Sequence, residues 1–457
     1  MRDKELLQMG FPYGPLLEAA RRAADQAAAA GLTNKKTRKL LRRVARNPAA
    51  HASHPQFGPL ALAVMRQDAR PAAATGPGAP FRQWGANLDP VSVEQMEQAC
   101  RLPISVRGAL MPDAHVGYGL PIGGVLATRG AVIPYAVGVD IACRMKLSVL
   151  DLPPAALEEA PDRFQTAIAN ETRFGVGAEF KTRRNHAVLD RDWSVSPVTR
   201  KLKDKAWAQL GTSGSGNHFV EFGELELFEG AGLALAPGRY LALLSHSGSR
   251  GAGAEVCTHY SRAAKSLHPE LSGQIGRLAW LGLDSEPGAE YWAAMQLMGE
   301  YAAANHALIH THIARHLGAA VRLDIENHHN FAWKERHHGE EVVVHRKGAT
   351  PASEGAVGII PGSMATPAYV VRGKGSTDAL NSAAHGAGRV MSRSQAKKRL
   401  KWADARYRLE EAGVTLMSAG LDEAPMVYKD IEEVMSAQED LVAPLARFRP
   451  RLVKMAR

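Results

Sequence analysis

The chain has 457 residues, and 45% of them are hydrophobic, which is enough to bury a large core and excludes a wholly disordered protein. Its 56 Lys and Arg residues outnumber 46 Asp and Glu residues, and the net charge of +10 favours polyanionic partners such as nucleic acid. The three cysteines are too few for a disulfide framework, and the sequence contains no run of 18 apolar residues that would predict a membrane span. We therefore expect a cytoplasmic protein.

The N-terminal part of the chain has the composition of helices. Residues 15–46 are rich in Ala, Leu, Lys and Arg, and we expect Asn34 to cap a second helix. One face of that helix is basic, and it either faces solvent or contacts RNA. The face contains Lys35, Lys36, Arg38, Lys39, Arg42, Arg43 and Arg46. The Pro-, Ala- and Gly-rich segment Pro71–Pro80 then predicts a linker, so residues 1–78 form a helical basic extension and residues 79–457 a second unit.

The remainder of the chain alternates short β-like runs with glycine-rich turns, and longer helices interrupt them. The clearest helix begins near Ser285 and ends near Gly318. This order is not a regular alternation of strand and helix, so we predict an α+β fold rather than a doubly wound sheet. Four β-like runs are Tyr240–Ser245, Val321–Ile325, Val342–His345 and Tyr369–Arg372.

Five segments place metal-type ligands beside glycines or strand-like runs, as expected of sites built at strand ends. They are Gly138–Met145, Thr212–Phe222, Leu244–Gly253, Glu326–Trp333 and Ala383–Arg389. Each cysteine or histidine in them, taken alone, is more often structural. Together, Asp140, Cys143, His218, His246 and His329 would form a mixed site of nitrogen, oxygen and sulfur ligands. Imidazole and thiolate favour zinc or another late metal, and carboxylate permits manganese, so the ligand types do not select the ion.

A second histidine set competes with this site. His306 and His310 are four residues apart on the predicted long helix, and so are His312 and His316, a spacing that can bind zinc. Neither pair encloses the glutamate of a hydrolytic metalloprotease, and the helix is otherwise apolar. We interpret these four histidines as packing or surface residues.

Nucleotide binding would depend on glycine turns, because neither a GxxxxGK[ST] loop nor a Lys-x-Asp-Gly motif occurs. The turns His345–Ala352, Ile360–Thr366 and His385–Arg393 could hold phosphate oxygens with backbone N–H groups. The last turn has His385 four residues before Arg389 and eight before Arg393. A neutral imidazole can attack phosphorus while arginines stabilise phosphoryl charge, although an incidental histidine fits the pattern equally well.

Several of these segments, in this order, resemble the motifs of the RtcB family over about residues 85–457. They are MPDAHVGYGLPIGGV (Met111–Val125), GVDIAC, GSGNHFVE, HSGSRG, HHN, HRKGATPA, PGSM, HGAGRVMSR and APMVYKDIEEVM (Ala424–Met435). The resemblance implies a large catalytic domain with mixed or antiparallel sheets and surrounding helices. It also implies a GTP- and manganese-dependent RNA ligase of tRNA splicing or RNA repair. Such an enzyme joins 3′-phosphate or 2′,3′-cyclic phosphate ends to 5′-hydroxyl ends through a guanylylated histidine and an RNA-ppG intermediate.

The resemblance assigns a role to each matching residue. Cys143 would bridge two manganese ions, with His246 and His329 on one and Asp140 and His218 on the other; zinc is also compatible. His385 would carry GMP, oriented by Asp113. Guanosine contacts would be Asn217, Phe219, Glu221, Ser363, Tyr428 and Lys454, and RNA-phosphate contacts Arg250, Arg389 and Arg393. The resemblance leaves open whether an archease-like activator is a partner, and we expect no membrane to be involved.

Three departures from the family pattern suggest a divergent paralogue, in which we expect catalysis to be retained because every ligand and nucleophile position is filled. The family more often has glycine at the positions of Ala114 and Arg144, and we expect Arg144 to add bulk and charge beside the metals. Residues 1–80 do not resemble the usual start of the family. One alternative is therefore a metal-dependent phosphodiesterase or phosphatase that processes RNA ends without joining them. Another is a basic RNA-binding protein whose metal site is structural.

Overall fold

The computed structural model describes residues 5–6, 9–11, 15–52, 54–68, 78–271, 273 and 275–457. Near the N-terminus, helices α1 (Pro15–Ala29), α2 (Asn34–Arg46) and α3 (Gly58–Asp68) pack through an apolar cluster that includes Leu41 and Phe57. Helix α2 is capped one residue earlier than predicted, because the extended Thr33 accepts a hydrogen bond from the Lys36 N–H at 3.4 Å. Most of the predicted linker, residues 71–77, lies outside the described residues.

The rest of the described chain contains ten further helices and seventeen strands. The helices are α4 (Pro90–Cys100), α5 (Pro134–Val137), α6 (Ala156–Glu159), α7 (Pro161–Glu171), α8 (Pro197–Gln209), α9 (Arg250–Leu267), α10 (Glu286–His316), α11 (Arg393–Arg399), α12 (Trp402–Glu411) and α13 (Ile431–Ser436). The strands are β1 (Phe81–Gln83), β2 (Ser105–Tyr118), β3 (Leu120–Thr128), β4 (Ala131–Val132), β5 (Arg144–Leu150), β6 (Phe219–Leu227), β7 (Gly238–Ser247), β8 (Leu281–Gly282), β9 (Val321–His328), β10 (Asn330–His337), β11 (Glu340–Lys347), β12 (Ala349–Pro351), β13 (Val357–Pro361), β14 (Ala368–Gly373), β15 (Ser382–Ala384), β16 (Thr415–Ser418) and β17 (Val442–Met455).

Two sheets form the framework of this region. The larger sheet has the strand order β13-β14-β17-β6-β7-β5-β9, with β16 also paired to β17. The smaller sheet has the order β1-β2-β3-β11-β10. Within both, neighbouring strands are antiparallel except for the parallel pairs β1–β2 and β16–β17. The α+β prediction is confirmed, and the four predicted β-runs fall within β7, β9, β11 and β14.

Strand β5 is buried on both of its faces, although its residues alternate in polarity. Met145, Leu147 and Val149 belong to an apolar cluster on one face. Arg144, Lys146 and Ser148 point the other way, where they form ion pairs and hydrogen bonds with β9 and α10. The long helix α10 therefore covers polar side chains of β5, whereas its Ile309 and Ile313 pack on apolar residues of the same sheet, such as Leu243.

Helix α10 begins as the sequence predicts. The Ser285 side chain accepts a hydrogen bond from the Gly288 N–H at 3.2 Å, and proline occupies the first turn, where its missing N–H is harmless. Across the described residues, none of the helices combines the length and the apolar character that crossing a bilayer requires.

Candidate metal and nucleotide site

The five predicted metal ligands lie at the ends of four neighbouring strands. Cys143 immediately precedes β5, His218 immediately precedes β6, His246 is near the end of β7, and His329 follows β9. Because the strand order is β6-β7-β5-β9 and His246 pairs with both Phe219 and Met145, the register brings these ends together. Residues distant in sequence therefore meet at one edge of the larger sheet.

The side chains of these five residues, the five-ligand cluster, approach one another, and Cys143, His218 and His246 lie close enough together to hold one ion. The Cys143 Sγ atom lies 3.3 Å from His218 Nε2 and 3.1 Å from His246 Nε2. His246 Nε2 lies 3.2 Å from His329 Nε2, and His218 Nε2 lies 2.8 Å from Asp140 Oδ2. Cys143 thus stands between the His218–Asp140 pair and the His246–His329 pair, as a bridging ligand would.

The hydrogen bonds of His246 identify its free nitrogen. Its Nδ1 atom lies 3.0 Å from the Asn217 carbonyl oxygen, which can only accept, so Nδ1 carries the proton. The lone pair on Nε2 then points at Cys143 and at His329, whose own Nδ1 has no hydrogen-bond partner among the described residues. A sulfur atom and two imidazole nitrogens that converge in this way fit a metal ion.

Ionisation of the cluster also fits a cation. Burial lowers the pKa of His246 to about 3, so its imidazole is neutral and able to bind metal. Burial opposes ionisation of Asp140, but His218 and Arg250 outweigh it and lower that pKa to about 2. Burial together with Asp140 raises the pKa of the Cys143 thiol well above its usual value, so a thiolate here requires a positive ion beside it.

The loop that carries Asp140 and Cys143 is held by backbone contacts. Ala142 has a φ of 56°, unusual for a residue with a side chain, and its N–H donates to the Asn330 carbonyl at 2.7 Å. The Asn330 amide donates to the Asp140 carbonyl at 3.3 Å and accepts from the Gly348 N–H at 2.8 Å. The sequence pattern gave Asn330 no role beyond its place after His329 in the HHN motif.

His385 forms a close pair with Asp113 beside this cluster. Its Nδ1 lies 2.6 Å from Asp113 Oδ2, and its backbone N–H donates to the same oxygen at 3.3 Å. Asp113 is fully buried, and the His385 ring lies 4.9 Å from the His329 ring, centroid to centroid. Because the carboxylate accepts the Nδ1 proton, the His385 Nε2 atom keeps a free lone pair.

Two glycines allow this close packing. A Cβ atom on Gly348 would lie 3.0 Å from His385 Cε1 and 2.4 Å from an Ile122 methyl. A Cβ atom on Gly388 would lie 2.0 Å from the Asp113 carbonyl oxygen, and both glycines have a positive φ. Gly348 is therefore required by the approach of His385, and Gly388 by the approach of the Asp113 backbone.

An active-site cavity of about 1010 Å³ joins the five-ligand cluster to His385. Five of the six residues assigned to guanosine line it: Asn217, Phe219, Glu221, Ser363 and Tyr428. Lys454 does not line it, because its neighbours Val453 and Met455 face the cavity and alternation turns Lys454 to the other face of β17. Its ammonium lies 5.3 Å from the Phe174 ring centroid.

The three arginines assigned to RNA phosphate occupy different positions. Arg389 and Arg393 line the active-site cavity and form ion pairs with Glu423. Arg250 lies behind the cluster, with Nη1 3.2 Å from His218 Nδ1. Glu423, which sequence reasoning missed, also accepts the Tyr428 hydroxyl, so it links the guanosine and phosphate candidates.

The competing histidines each contact a protein group through at least one ring nitrogen, and the buried His306 Nε2 atom has no hydrogen-bond partner among the described residues. His306 and His310 are buried and contact the Ser245 hydroxyl at 3.2 and 2.8 Å. His312 and His316 lie at the surface beside Glu171, at 3.6 and 3.0 Å. Their interpretation as packing and surface residues agrees with these contacts.

Arg144 does not project toward the metal ligands as expected. Its guanidinium pairs with Glu326 and donates to the Gly299 carbonyl at 3.0 Å, on the α10 side of the sheet. Strand alternation explains the difference, since the residue after Cys143 faces the opposite way. Ala114, the other departure, packs its methyl group into an apolar cluster with Met96 and Leu120.

Comparisons with known proteins point to one family. A family model described as "tRNA-splicing ligase RtcB" matches residues 95–202 and 190–455. The chain is 33% identical to the RNA-splicing ligase RtcB of Escherichia coli K12 over 400 residues, covering 80% of this chain and 95% of that protein. It is 34% identical to the RNA-splicing ligase RtcB of Mycobacterium tuberculosis over 433 residues, 78% of this chain and 98% of that one. The tRNA-splicing ligase RtcB of Archaeoglobus fulgidus is 31% identical to the chain over 447 residues, which cover 79% of this chain and 90% of that protein.

Proposed function

Because the chain belongs to the RtcB family, we propose that it is an RNA ligase that uses GTP and manganese. It joins RNA 3′-phosphate or 2′,3′-cyclic phosphate ends to 5′-hydroxyl ends, in tRNA splicing or RNA repair. We also propose that it acts in the cytoplasm and that an archease-like protein activates it. The observation that carries the proposal is the free His385 Nε2 beside the five-ligand cluster.

His385 is the nucleophile in the proposed reaction. Its Nε2 lone pair attacks the α-phosphorus of GTP, an N–P bond forms, and the bond to pyrophosphate breaks. Asp113 keeps the proton on Nδ1 and stabilises the positive charge that grows on the ring. GMP then passes from His385 to the RNA 3′-phosphate. The 5′-hydroxyl attacks the activated RNA-ppG end, a phosphodiester forms, and GMP leaves.

The five-ligand cluster would hold two ions, with Cys143 shared between Asp140 and His218 on one side and His246 and His329 on the other. Bound manganese would supply positive charge that neutralises phosphoryl oxygens on both sides of a displacement. The neutral imidazoles and the buried carboxylate fit this role, and zinc suits the same ligands.

The cavity walls would bind the two substrates. Tyr428, Ser363, Asn217, Phe219 and Glu221 surround the space proposed for guanosine. Arg389 and Arg393 would contact RNA phosphate, and their ion pairs with Glu423 keep both guanidiniums oriented before a phosphate arrives. Arg250 and Lys454 remain proposed contacts, and Arg250 can also act through His218, which it approaches.

Labelling with GTP tests the nucleophile. Wild-type protein incubated with α-labelled GTP and Mn²⁺ should retain label, and His385→Asn should not, since an amide can donate to Asp113 but cannot attack phosphorus. His316→Asn, at a surface histidine beside Glu171, is the matched control and should label normally. Wild-type protein that opens a cyclic phosphate but takes no label and joins no ends would favour the end-processing alternative. A protein with no metal-dependent turnover would favour the RNA-binding alternative.

A further inference from the structure

A second cavity, of about 740 Å³, lies next to the active-site cavity and is formed by α11, α12 and the region of β16 and β17. We name it the α12 cleft. Its cationic residues are Lys397, Arg406 and Arg457, and its apolar residues include Leu409 and Leu416. The volume is within the range of small-ligand sites and accommodates a nucleotide.

Three cations and two carboxylates line the α12 cleft, and the helices beside it, α11 and α12, are basic. Residues 393–411 contain seven Lys and Arg but three Asp and Glu. Two carboxylates line the cleft, Glu410 and Asp422, and Asp422 is already bound by Arg393 at 3.0 Å and Lys397 at 3.4 Å. Arg406 is exposed and forms no ion pair within the described part of the chain. Such a cleft attracts a polyanion.

The same ion pairs connect the cleft to the active-site cavity. Arg393 lines the active-site cavity and Lys397 lines the α12 cleft, and both cations hold the Asp422 carboxylate between them. Arg389, Arg393 and Lys397 therefore form a row of cations from the active-site cavity to the cleft, with the Glu423 and Asp422 carboxylates between them. A chain of phosphates that enters one cavity meets cations along the path to the other.

The cleft also offers an aromatic surface. Trp402 packs in part against the apolar cluster of Met364, Leu409, Val414 and Val453, and its indole also lines the cleft. Nucleobases stack on such rings with little dependence on sequence, which suits a strand bound mainly through its backbone. Cationic and aromatic groups around one cleft are the combination that single-stranded RNA requires.

We propose that the α12 cleft binds single-stranded RNA leading away from the reacting end, with a base against Trp402 and phosphates at Lys397 and Arg406. This proposal rests on the proposed function, because the reacting end must lie in the active-site cavity. The cleft would then give longer RNA substrates an affinity that very short ones lack.

Charge reversal on helix α12 tests the proposal. Binding of fluorescent 3′-phosphorylated RNA to the full chain is followed by anisotropy with Mn²⁺ and without GTP, for a dinucleotide and a 10-mer. Arg406→Glu should weaken binding of the 10-mer by about 10-fold and lower the salt slope by roughly one, but leave the dinucleotide unaffected. Arg408→Glu is the matched control, since Arg408 is exposed on the same helix outside the cleft. Equal effects of both variants, or equal loss for both RNAs, would overturn the proposal.

A second measurement does not depend on how the variants fold. RNA 10-mers with 5-iodouracil at successive positions are crosslinked to wild-type protein, and crosslinked peptides are identified by mass spectrometry. Crosslinks at one or two internal positions should map to the peptide that contains Trp402. If none of the crosslinked peptides contains residues 397–410, the proposal that RNA binds in the α12 cleft is contradicted.

Labelled-GTP assays on the same preparations separate the two proposals. Wild-type protein that binds RNA as expected but takes no GMP label contradicts the ligase and leaves the cleft intact. If the wild-type protein takes the GMP label but Arg406→Glu and Arg408→Glu have the same RNA affinity, the cleft proposal is contradicted and the ligase proposal is not. A cleft that binds a protein partner and not RNA would also give normal labelling with equal RNA affinity of the two variants.

Discussion

Asparagine in place of Asp113 removes the negative charge that His385 meets during guanylylation. In the structure, one carboxylate oxygen accepts both the His385 ring Nδ1–H at 2.6 Å and the backbone N–H at 3.3 Å. A hydrogen bond to a charged group contributes about 1.5–3 kcal/mol, so labelling of His385 should slow by about 10- to 150-fold. The side-chain volume hardly changes, which limits effects on folding.

Single-turnover labelling with α-labelled GTP measures this step directly. A synthetic RNA carrying the RNA-ppG end bypasses His385, so its sealing by Asp113→Asn should remain close to the wild-type rate. Asp89→Asn is the matched control, because Asp89 also lines the active-site cavity but its carboxylate caps helix α4 through the Val91 N–H at 2.8 Å. The reasoning would be refuted if Asp113→Asn were labelled at the wild-type rate. It would also be refuted if the variant lost labelling and sealing activity by the same factor.

Three further predictions concern the metal site, pH and the N-terminal helices. Cys143→Ala should weaken manganese binding, measured by calorimetry, by more than about 10-fold, whereas Cys257→Ala, at a buried cysteine beside Pro134, should not. Burial lowers the pKa of His328 to about 3 and of His345 to about 4. In the unfolded chain these histidines take up protons near pH 6.5, whereas in the folded protein they stay neutral to a lower pH. The free energy of unfolding of the metal-free protein, measured by urea titration, should therefore fall as the pH is lowered from about 6.5 to about 4. A constant value over this range would contradict the prediction. Deletion of residues 1–75, or replacement of the exposed Arg42 by Glu, should lower the affinity for RNA and make that affinity less dependent on salt concentration. Unchanged values would show that the basic face of α2 only faces solvent.

The sequence was most informative where a chemical group and a glycine turn occur together. Cys143, His218 and His246 each adjoin such a turn, and each lies at the end of a strand in the structure. The same pattern in HGAGR pointed to His385, and its partner Asp113 came from the resemblance. Local sequence suffices for these residues because strand ends and turns are local features.

Residues whose role depends on partners far along the chain could not be identified in this way. Glu423 pairs with Arg389, Arg393 and Tyr428, but nothing around it in the sequence indicates these contacts. Arg144 looked like an intrusion beside Cys143, yet its guanidinium is held by Glu326, 182 positions away. Which face of β5 a side chain occupies depends on the register, and the register depends on β7 and β9.

The location of His329 explains how one site can draw on two sheets. The five-ligand cluster belongs to the larger sheet, whereas Asp113 lies in β2 of the smaller sheet. His329 is the residue between β9 of the larger sheet and β10 of the smaller one, so it stands where the chain crosses between them. Asn330, directly after it, bonds to Asp140 on one side and to Gly348 beside His385 on the other. The distance between the metal ligands and the nucleophile is therefore fixed by a continuous stretch of backbone, and a shift of either sheet would have to break hydrogen bonds at that crossing.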